Sequence, residues 1–208
     1  MTQGFIVAGT DTGIGKTVFS AALTGAFAAN YWKPIQAGIE GETDTQTVAR
    51  LSGLPEGYCL ASAYLLKTPC SPHLAAEIDG IAINPARLEL PDTTRPLIVE
   101  LAGGLMVPIT RAALQIDFVG YWQMPVILCA RTSLGTINHT LLSVEALQRR
   151  ELPLHGIAFI GEENADTERT ICELAGVRRL GRLPWLPQLD AASLRAAFLQ
   201  DFRLEDFQ

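Results

Sequence analysis

Gly9-Thr10-Asp11-Thr12-Gly13-Ile14-Gly15-Lys16-Thr17 follows directly on the apolar run Phe5-Ile6-Val7-Ala8. An apolar strand that empties into a Gly-rich turn, followed by Lys-Thr and a helix-like run, is how a chain builds a cradle for a polyphosphate. Backbone N–H groups around Gly13, Ile14 and Gly15 can point at phosphate oxygens, Lys16 adds a positive charge, and the Thr17 hydroxyl can ligate magnesium. The spacing is irregular. The usual pattern, G-x-x-x-x-G-K-[ST], calls for glycine where this chain has Thr10, and the first glycine is displaced to Gly9. An incidental Gly-rich turn is the competing reading, and the strand before it and the helix after it weigh against that.

A chain of 208 residues, 48% hydrophobic, can bury a full core, and one domain over residues 1–208 is the simplest division. The formal net charge is −6 and no run of Lys and Arg exceeds two residues, so the electrostatic footprint of a nucleic-acid partner is missing. Met1-Thr2-Gln3-Gly4 carries no basic and hydrophobic leader, and nowhere do 18 apolar residues run uninterrupted, which predicts a cytoplasmic protein with no membrane partner. The four cysteines, Cys59, Cys70, Cys129 and Cys172, form no C-x-x-C pair and read as reduced, mostly buried small hydrophobes.

Along the chain, Val18 to Ala29 reads as a helix packed on a sheet, and Tyr31 to Ile35 as a short strand that Pro34 keeps out of a central ladder. Asp44 to Leu51 has helical spacing after a polar loop, with Thr43 or Asp44 as its N-cap. Four prolines break Leu54 to Leu90 into short pieces, among them a Thr68 to His73 loop leading into a helix over Leu74 to Ile78. Strands follow at Leu97 to Leu101, Val126 to Ala130, Leu154 to Ile160 and Arg179 to Leu183. Helices are expected at Ile137 to Arg150, Asp166 to Ala175 and Asp190 to Leu199. Five or six strands separated mainly by helices predict an α/β fold: a doubly wound, mainly parallel sheet flanked by helices, with right-handed crossovers and the P-loop NTPase type of phosphate loop.

In such a sheet ligands bind outside the carboxyl ends of the strands, which brings Lys33 and Glu100 to the rim of the Gly-rich loop. Lys16 and Lys33 would neutralise phosphate charge, while Thr17, Asp44 and Glu100 would hold Mg²⁺, a kit for phosphoryl transfer from a nucleoside triphosphate. A capping role for Asp44 and an exposed edge position for Glu100 are the alternatives. The three histidines, His73, His139 and His155, read as structural, and no Ser-His-Asp or Cys-His set competes.

Several stretches, in order from residue 5 to 186, resemble the dethiobiotin synthetase family. They are the Gly9 to Thr17 loop, Lys33-Pro34 before Gly38, Ser71-Pro72-His73, Glu100 before Ala102-Gly103-Gly104, Leu134-Gly135-Thr136-Ile137-Asn138-His139, and Gly181 to Leu186. The resemblance implies ATP- and Mg²⁺-dependent ring closure of 7,8-diaminononanoate with CO₂ or bicarbonate to dethiobiotin, in biotin synthesis. It passes through a carbamate and a carbamic-phosphoric anhydride. Lys16 and Lys33 would be catalytic, and Pro184, Trp185 and Leu186 would join the loop in holding the nucleotide. Thr12, Lys33, Ala37, Gly103 and Asn138 would meet the diamine, Asn138 across the interface of a homodimer.

Three positions depart from the family pattern. Ala37 replaces a common serine, Ile160 stands where an asparagine often reads the adenine edge, and Leu101 follows Glu100 where glycine is common. Two other classes share the loop. A cobyrinate-type amidoligase needs a glutamine-hydrolysing domain, for which the stretch after Leu186 is expected to be too short. A partitioning or septum-positioning ATPase carries an early loop lysine where this chain has Asp11.

Overall fold

Strands whose residues are apolar on both faces must be covered on both faces. In the computed structural model, which describes residues 4–207, the strands are β1 (Gly4–Gly9), β2 (Asn30–Trp32), β3 (Ile35–Ala37), β4 (Tyr64–Leu66), β5 (Leu97–Gly104), β6 (Val126–Arg131), β7 (Leu154–Ile160) and β8 (Arg179–Leu183). The helices are α1 (Lys16–Phe27), α2 (Asp44–Leu51), α3 (Pro72–Ile78), α4 (Gln115–Trp122), α5 (Thr136–Gln148), α6 (Ala165–Ala175) and α7 (Ala191–Asp201). Met1 to Gln3, read above for a leader, lie outside the described residues. Among the described residues no helix is long and apolar enough to cross a membrane.

Six strands form one parallel sheet in the order β2-β5-β1-β6-β7-β8. Successive side chains point to opposite faces, so each strand feeds two cores. Ile6, Val99, Leu101, Leu128 and Phe159 pack with Ile116 and Val119 of α4, Val144 and Leu147 of α5 and Ile171 of α6. Val7, Ile98, Ile127, Cys129 and Ala158 pack on the other face with α1, with Val48 and Leu51 of α2, and with α7. Phe198 of α7, 1% exposed, stacks on Phe202 with centroids 4.6 Å apart and lies 6.2 Å from Phe19 of α1.

The strand expected over Tyr31 to Ile35 is divided. Proline has no N–H to give a ladder, so β2 stops at Trp32, and β3 begins after Pro34 in a separate parallel pair with β4. Strands β7 and β8 match their expected spans, and α2 begins at Asp44 as expected, whereas α1 starts earlier, at Lys16. The segment between β5 and β6, to which the sequence reading assigned no element, holds α4. Cys129 alone of the four free cysteines is fully buried; the other three are half-buried, a correction to the sequence reading.

The neighbours of β1 are β5 on one side and β6 on the other, so the strand order diverges at β1, the kind of place where open α/β sheets bind ligands. A bulge sharpens the cleft there. Val7 pairs with Glu100 and Gly9 with Gly104, so Ala8 faces three residues and Ala102-Gly103 is pushed out over the loop. Phe198→Ala is expected to cost about 3–5 kcal/mol, because it opens a hole between α1 and α7. Urea unfolding followed by circular dichroism measures it, and a loss under about 1 kcal/mol would mean that the ring cluster does not join those helices.

Candidate functional site

The Gly-rich loop turns through two left-handed residues, Gly13 at φ 67° and Gly15 at φ 97°, and Gly15 is the N-cap of α1. A side chain at either would be strained, and at Gly15 a methyl group would also lie 2.9 Å from Ile160 Cγ2. The loop can therefore keep its backbone close to a ligand. Lys16 is buried at the base, its ammonium donating to the Asp11 carbonyl at 2.8 Å. Burial pulls its pKa down, with Glu100 opposing. The loop tip is tied by Arg131 at the end of β6, whose guanidinium meets the Asp11 carboxylate at 2.8 Å.

Beside this loop lies a buried ionic cluster. Two-residue spacing on β2 and its extension puts Tyr31 and Lys33 on the α1 face, and the same spacing on β5 puts Ile98 and Glu100 there. The Lys33 ammonium sits 2.6 Å from Asp44 Oδ2 and 2.9 Å from Glu100 Oε1. The Thr17 hydroxyl lies 2.8 Å from both Asp44 Oδ1 and Glu100 Oε1. Burial alone would lower the Lys33 pKa, but Glu100 and Asp44 outweigh it and raise it. Burial would raise that of Asp44, and the Lys33 charge with the Lys33 and Thr17 hydrogen bonds reverses this and holds it below its ordinary value.

Asp44 is free for this work because Thr43 is the N-cap. The Thr43 hydroxyl accepts from Gln46 N–H, and the Gln46 side chain accepts from Thr43 N–H.

Magnesium fits these groups. A hydroxyl has one proton, so Thr17 can donate to only one of its two carboxylate neighbours, and the remaining oxygen–oxygen approach favours a cation between them. Among the described residues no group of three His, Cys, Asp or Glu could hold a metal. Magnesium is characteristically held by one or two carboxylates together with substrate phosphates, which is the donor set that Thr17, Asp44 and Glu100 would complete.

The cleft outside this cluster measures about 540 Å³. Its near wall is Thr12 to Thr17. Its far wall holds Ala37, Pro69 to Pro72 and Gly103. Thr12 and Gly103 are brought together: a methyl group on Gly103, at φ 74°, would stand 3.0 Å from Thr12 Oγ1. The bulge carrying Gly103 is held by Gln115 of α4, whose side-chain oxygen accepts from Ala102 N–H at 2.8 Å and whose amide donates to the carbonyls of Ala102 and Gly104.

The cleft therefore collects Lys16, Thr17, Lys33, Asp44, Glu100, Thr12, Ala37 and Gly103. Pro184, Trp185 and Leu186 lie outside it, past the end of β8, where Leu183 pairs with Ile160 and Ile160 in turn abuts Gly15. Trp185 is 60% exposed. Asn138 is exposed on the first turn of α5 and does not line the cleft. Leu101 turns away from the site into the α4 side of the core. At Ala37 the neighbouring Gln36 does not supply a hydroxyl's function. Its amide is spent on the carbonyls of Ala37 and Gly38, and its oxygen accepts from Asp44 N–H.

Comparison with known proteins fits this geometry. A family model described as an AAA domain matches residues 3–193. An ATP-dependent dethiobiotin synthetase of Rhodopseudomonas palustris (strain BisB5) is 65% identical over 207 residues, covering 100% of this chain and 98% of that one. The chain belongs to the dethiobiotin synthetase family. Another ATP-dependent dethiobiotin synthetase, from Agrobacterium fabrum (strain C58), is 57% identical over 100% of this chain and 98% of its own. Among solved structures, a ParA family ATPase from Chlorobium tepidum TLS superposes with a TM-score of 0.56 at 11% identity, covering 96% of this chain and 90% of that one, which shows the fold alone.

Sequence reading of this family member overlooked Tyr31, Gln36, Gln115 and Arg131. Tyr31 stands two residues before Lys33, a spacing that marks the same strand face, and Arg131 ends a strand on the ligand rim. Gln115 had no local signal.

The ionic cluster sets a pH dependence for the metal-free protein. Asp44, with its pKa lowered, contributes stability that is present above the ordinary carboxylate range and lost as pH falls through its lowered value. Lys33, with its pKa raised, contributes stability that is present below the ordinary lysine range and lost as pH rises through its raised value. Asp44→Asn is expected to make the acid limb of a stability profile shallower below about pH 4. Urea unfolding over that range tests this, and an acid limb of unchanged steepness would count against the pairing.

Proposed function

We propose that this chain works as a single domain that closes 7,8-diaminononanoate and CO₂, supplied as CO₂ or bicarbonate, into dethiobiotin with hydrolysis of ATP. What carries the reading is the placing of Lys33 between Asp44 and Glu100, beside Thr17, where the phosphate loop opens onto a second, less charged half-cleft. One half suits a triphosphate. The other, lined by Thr12, Ala37, Gly103 and the Pro69 to Pro72 turn, suits the apolar chain of a diamine.

In this reaction a carbamate oxygen of the carboxylated diamine attacks the γ-phosphorus of ATP, the bond to the β-phosphate oxygen breaks, and ADP leaves. The second amine then attacks the carbonyl carbon of the mixed anhydride, phosphate departs with the bonding pair, and the amine proton is lost to form the cyclic urea. The backbone of Gly13, Ile14 and Gly15 holds the phosphates and Lys16 neutralises them. Lys33 draws together the carbamate and the transferring phosphoryl group, two anions that would otherwise repel. Thr17, Asp44 and Glu100 would hold Mg²⁺, which when bound would neutralise charge on the triphosphate.

Pro184, Trp185 and Leu186 seat the base. The exposed indole offers a flat face for it, and Ile160, which lies against Gly15, has no polar group with which to read a base edge. The working form is a cytoplasmic homodimer, in which Asn138, exposed on the first turn of α5, is available to meet the substrate bound to a second copy.

Incubation with 7,8-diaminononanoate, bicarbonate, Mg²⁺ and ATP is expected to yield dethiobiotin by mass spectrometry. ATP turnover that neither needs the diamine nor yields the cyclic urea would overturn the reading. Lys33→Ala is expected to lower kcat by about 10²–10³-fold with nucleotide binding largely kept. An unchanged kcat would remove Lys33 from the chemistry.

A further inference from the structure

Glu100 is 1% exposed and has both carboxylate oxygens engaged. Oε1 meets the Thr17 hydroxyl and the Lys33 ammonium, on the side where Asp44 also lies. Oε2 points the other way and accepts a 2.8 Å hydrogen bond from the phenol of Tyr31. Tyr31 is itself fully buried, in the apolar cluster with Val7, Phe19 and Ile98.

We propose that Tyr31 is a positioning residue for the divalent cation: its hydroxyl locks the rotation of the Glu100 carboxylate so that Oε1 faces Thr17 and Asp44, and it thereby sets cation affinity. The inference rests on reading Thr17, Asp44 and Glu100 as the magnesium-binding groups. It adds a residue that touches neither metal nor substrate.

Two observations carry it. The ring is fully buried in its apolar cluster, and its backbone is held on the side away from β5, where Tyr31 N–H donates to the Tyr58 carbonyl at 2.9 Å and the Tyr31 carbonyl accepts from Leu60 N–H at 2.8 Å. Glu100 is also the one side chain to which the phenol is hydrogen-bonded among the described residues, so the hydroxyl has no competing side-chain partner there.

Without that hydroxyl, Oε2 would be left buried with no donor. A carboxylate in that position relieves itself by rotating to share Thr17 and Lys33 between its two oxygens. That rotation withdraws the oxygen that faces the cation. Groups that orient metal ligands through such hydrogen bonds characteristically change metal affinity by 10–100-fold when removed.

The test uses Tyr31→Phe, which deletes one oxygen and keeps the ring's packing, with the fold checked by circular dichroism. Mn²⁺, a spectroscopic stand-in for Mg²⁺, is titrated by electron paramagnetic resonance into the full chain with a non-hydrolysable ATP analogue. The expected result is a Kd for Mn²⁺ raised about 10-fold or more. In turnover the half-saturating Mg²⁺ concentration should rise by a similar factor, with a smaller fall in kcat at saturating metal. A Tyr31→Phe protein that binds Mn²⁺ as tightly as wild type overturns the proposal, even if it is less stable, because the hydroxyl would then be structural only. Glu100→Gln is measured alongside: if it too binds Mn²⁺ like wild type, the reading of the metal site fails, and that result is distinct from a failure of Tyr31 alone.

Discussion

A lysine ammonium buried between two carboxylates is the constraint on which this site depends. Lys33, Asp44 and Glu100 come from an edge-strand extension, a helix start and an inner strand, and none could be buried alone without a large desolvation penalty. The two carboxylates together offset the lysine, and the lysine offsets each of them. Removing Lys33 would leave Glu100, buried at 1% exposure, without its cation. The cluster therefore binds three elements to one another at the mouth of the phosphate loop, and it also keeps two carboxylates and a hydroxyl converged where a magnesium ion could be received.

The surrounding structure serves that convergence. The parallel sheet brings the carboxyl ends of β1, β2 and β5 to one rim, and the bulge between β1 and β5 pushes Gly103 toward Thr12. Gln36 and Gln115 are spent on backbone groups near the site, the first holding the start of α2 and the second holding the bulge. Buried amides are useful for this because they donate and accept at once, so one side chain can join two pieces of backbone. The two halves of the cleft then differ in kind: one is charged and rigid, the other apolar and shaped by turns.

Local reading was accurate where one residue type does one job. The phosphate loop, the Thr43 to Leu51 cap and helix, and strands β7 and β8 are set by glycine conformation, side-chain capping and uninterrupted apolar runs. These are properties of a few consecutive residues. It was weaker where a short element is held by distant partners. Strand β3 exists because β4, almost 30 residues later, pairs with it, and α4 has only eight residues and a mixed pattern. Cys59, Cys70 and Cys172 looked like core residues by type, but their half-buried positions follow from loops and helix rims whose packing no local pattern reports.

The sequence by itself determined that a polyphosphate loop opens a parallel α/β sheet, that Lys33, Asp44 and Glu100 lie on its ligand rim, and which family the chain resembles. Glycine geometry, strand polarity and residue chemistry act over short spans and leave their mark in the order of residues. Only the tertiary structure decided that the three charges form one buried cluster, that Thr17 lies against both carboxylates, and that Tyr31 holds the far oxygen of Glu100. The same holds for Pro184 to Leu186, which lie outside the cleft, just past the strand whose Leu183 pairs with Ile160. Those facts depend on distances between residues as many as 83 positions apart. Only the packing of α1 and α2 against the sheet sets such distances.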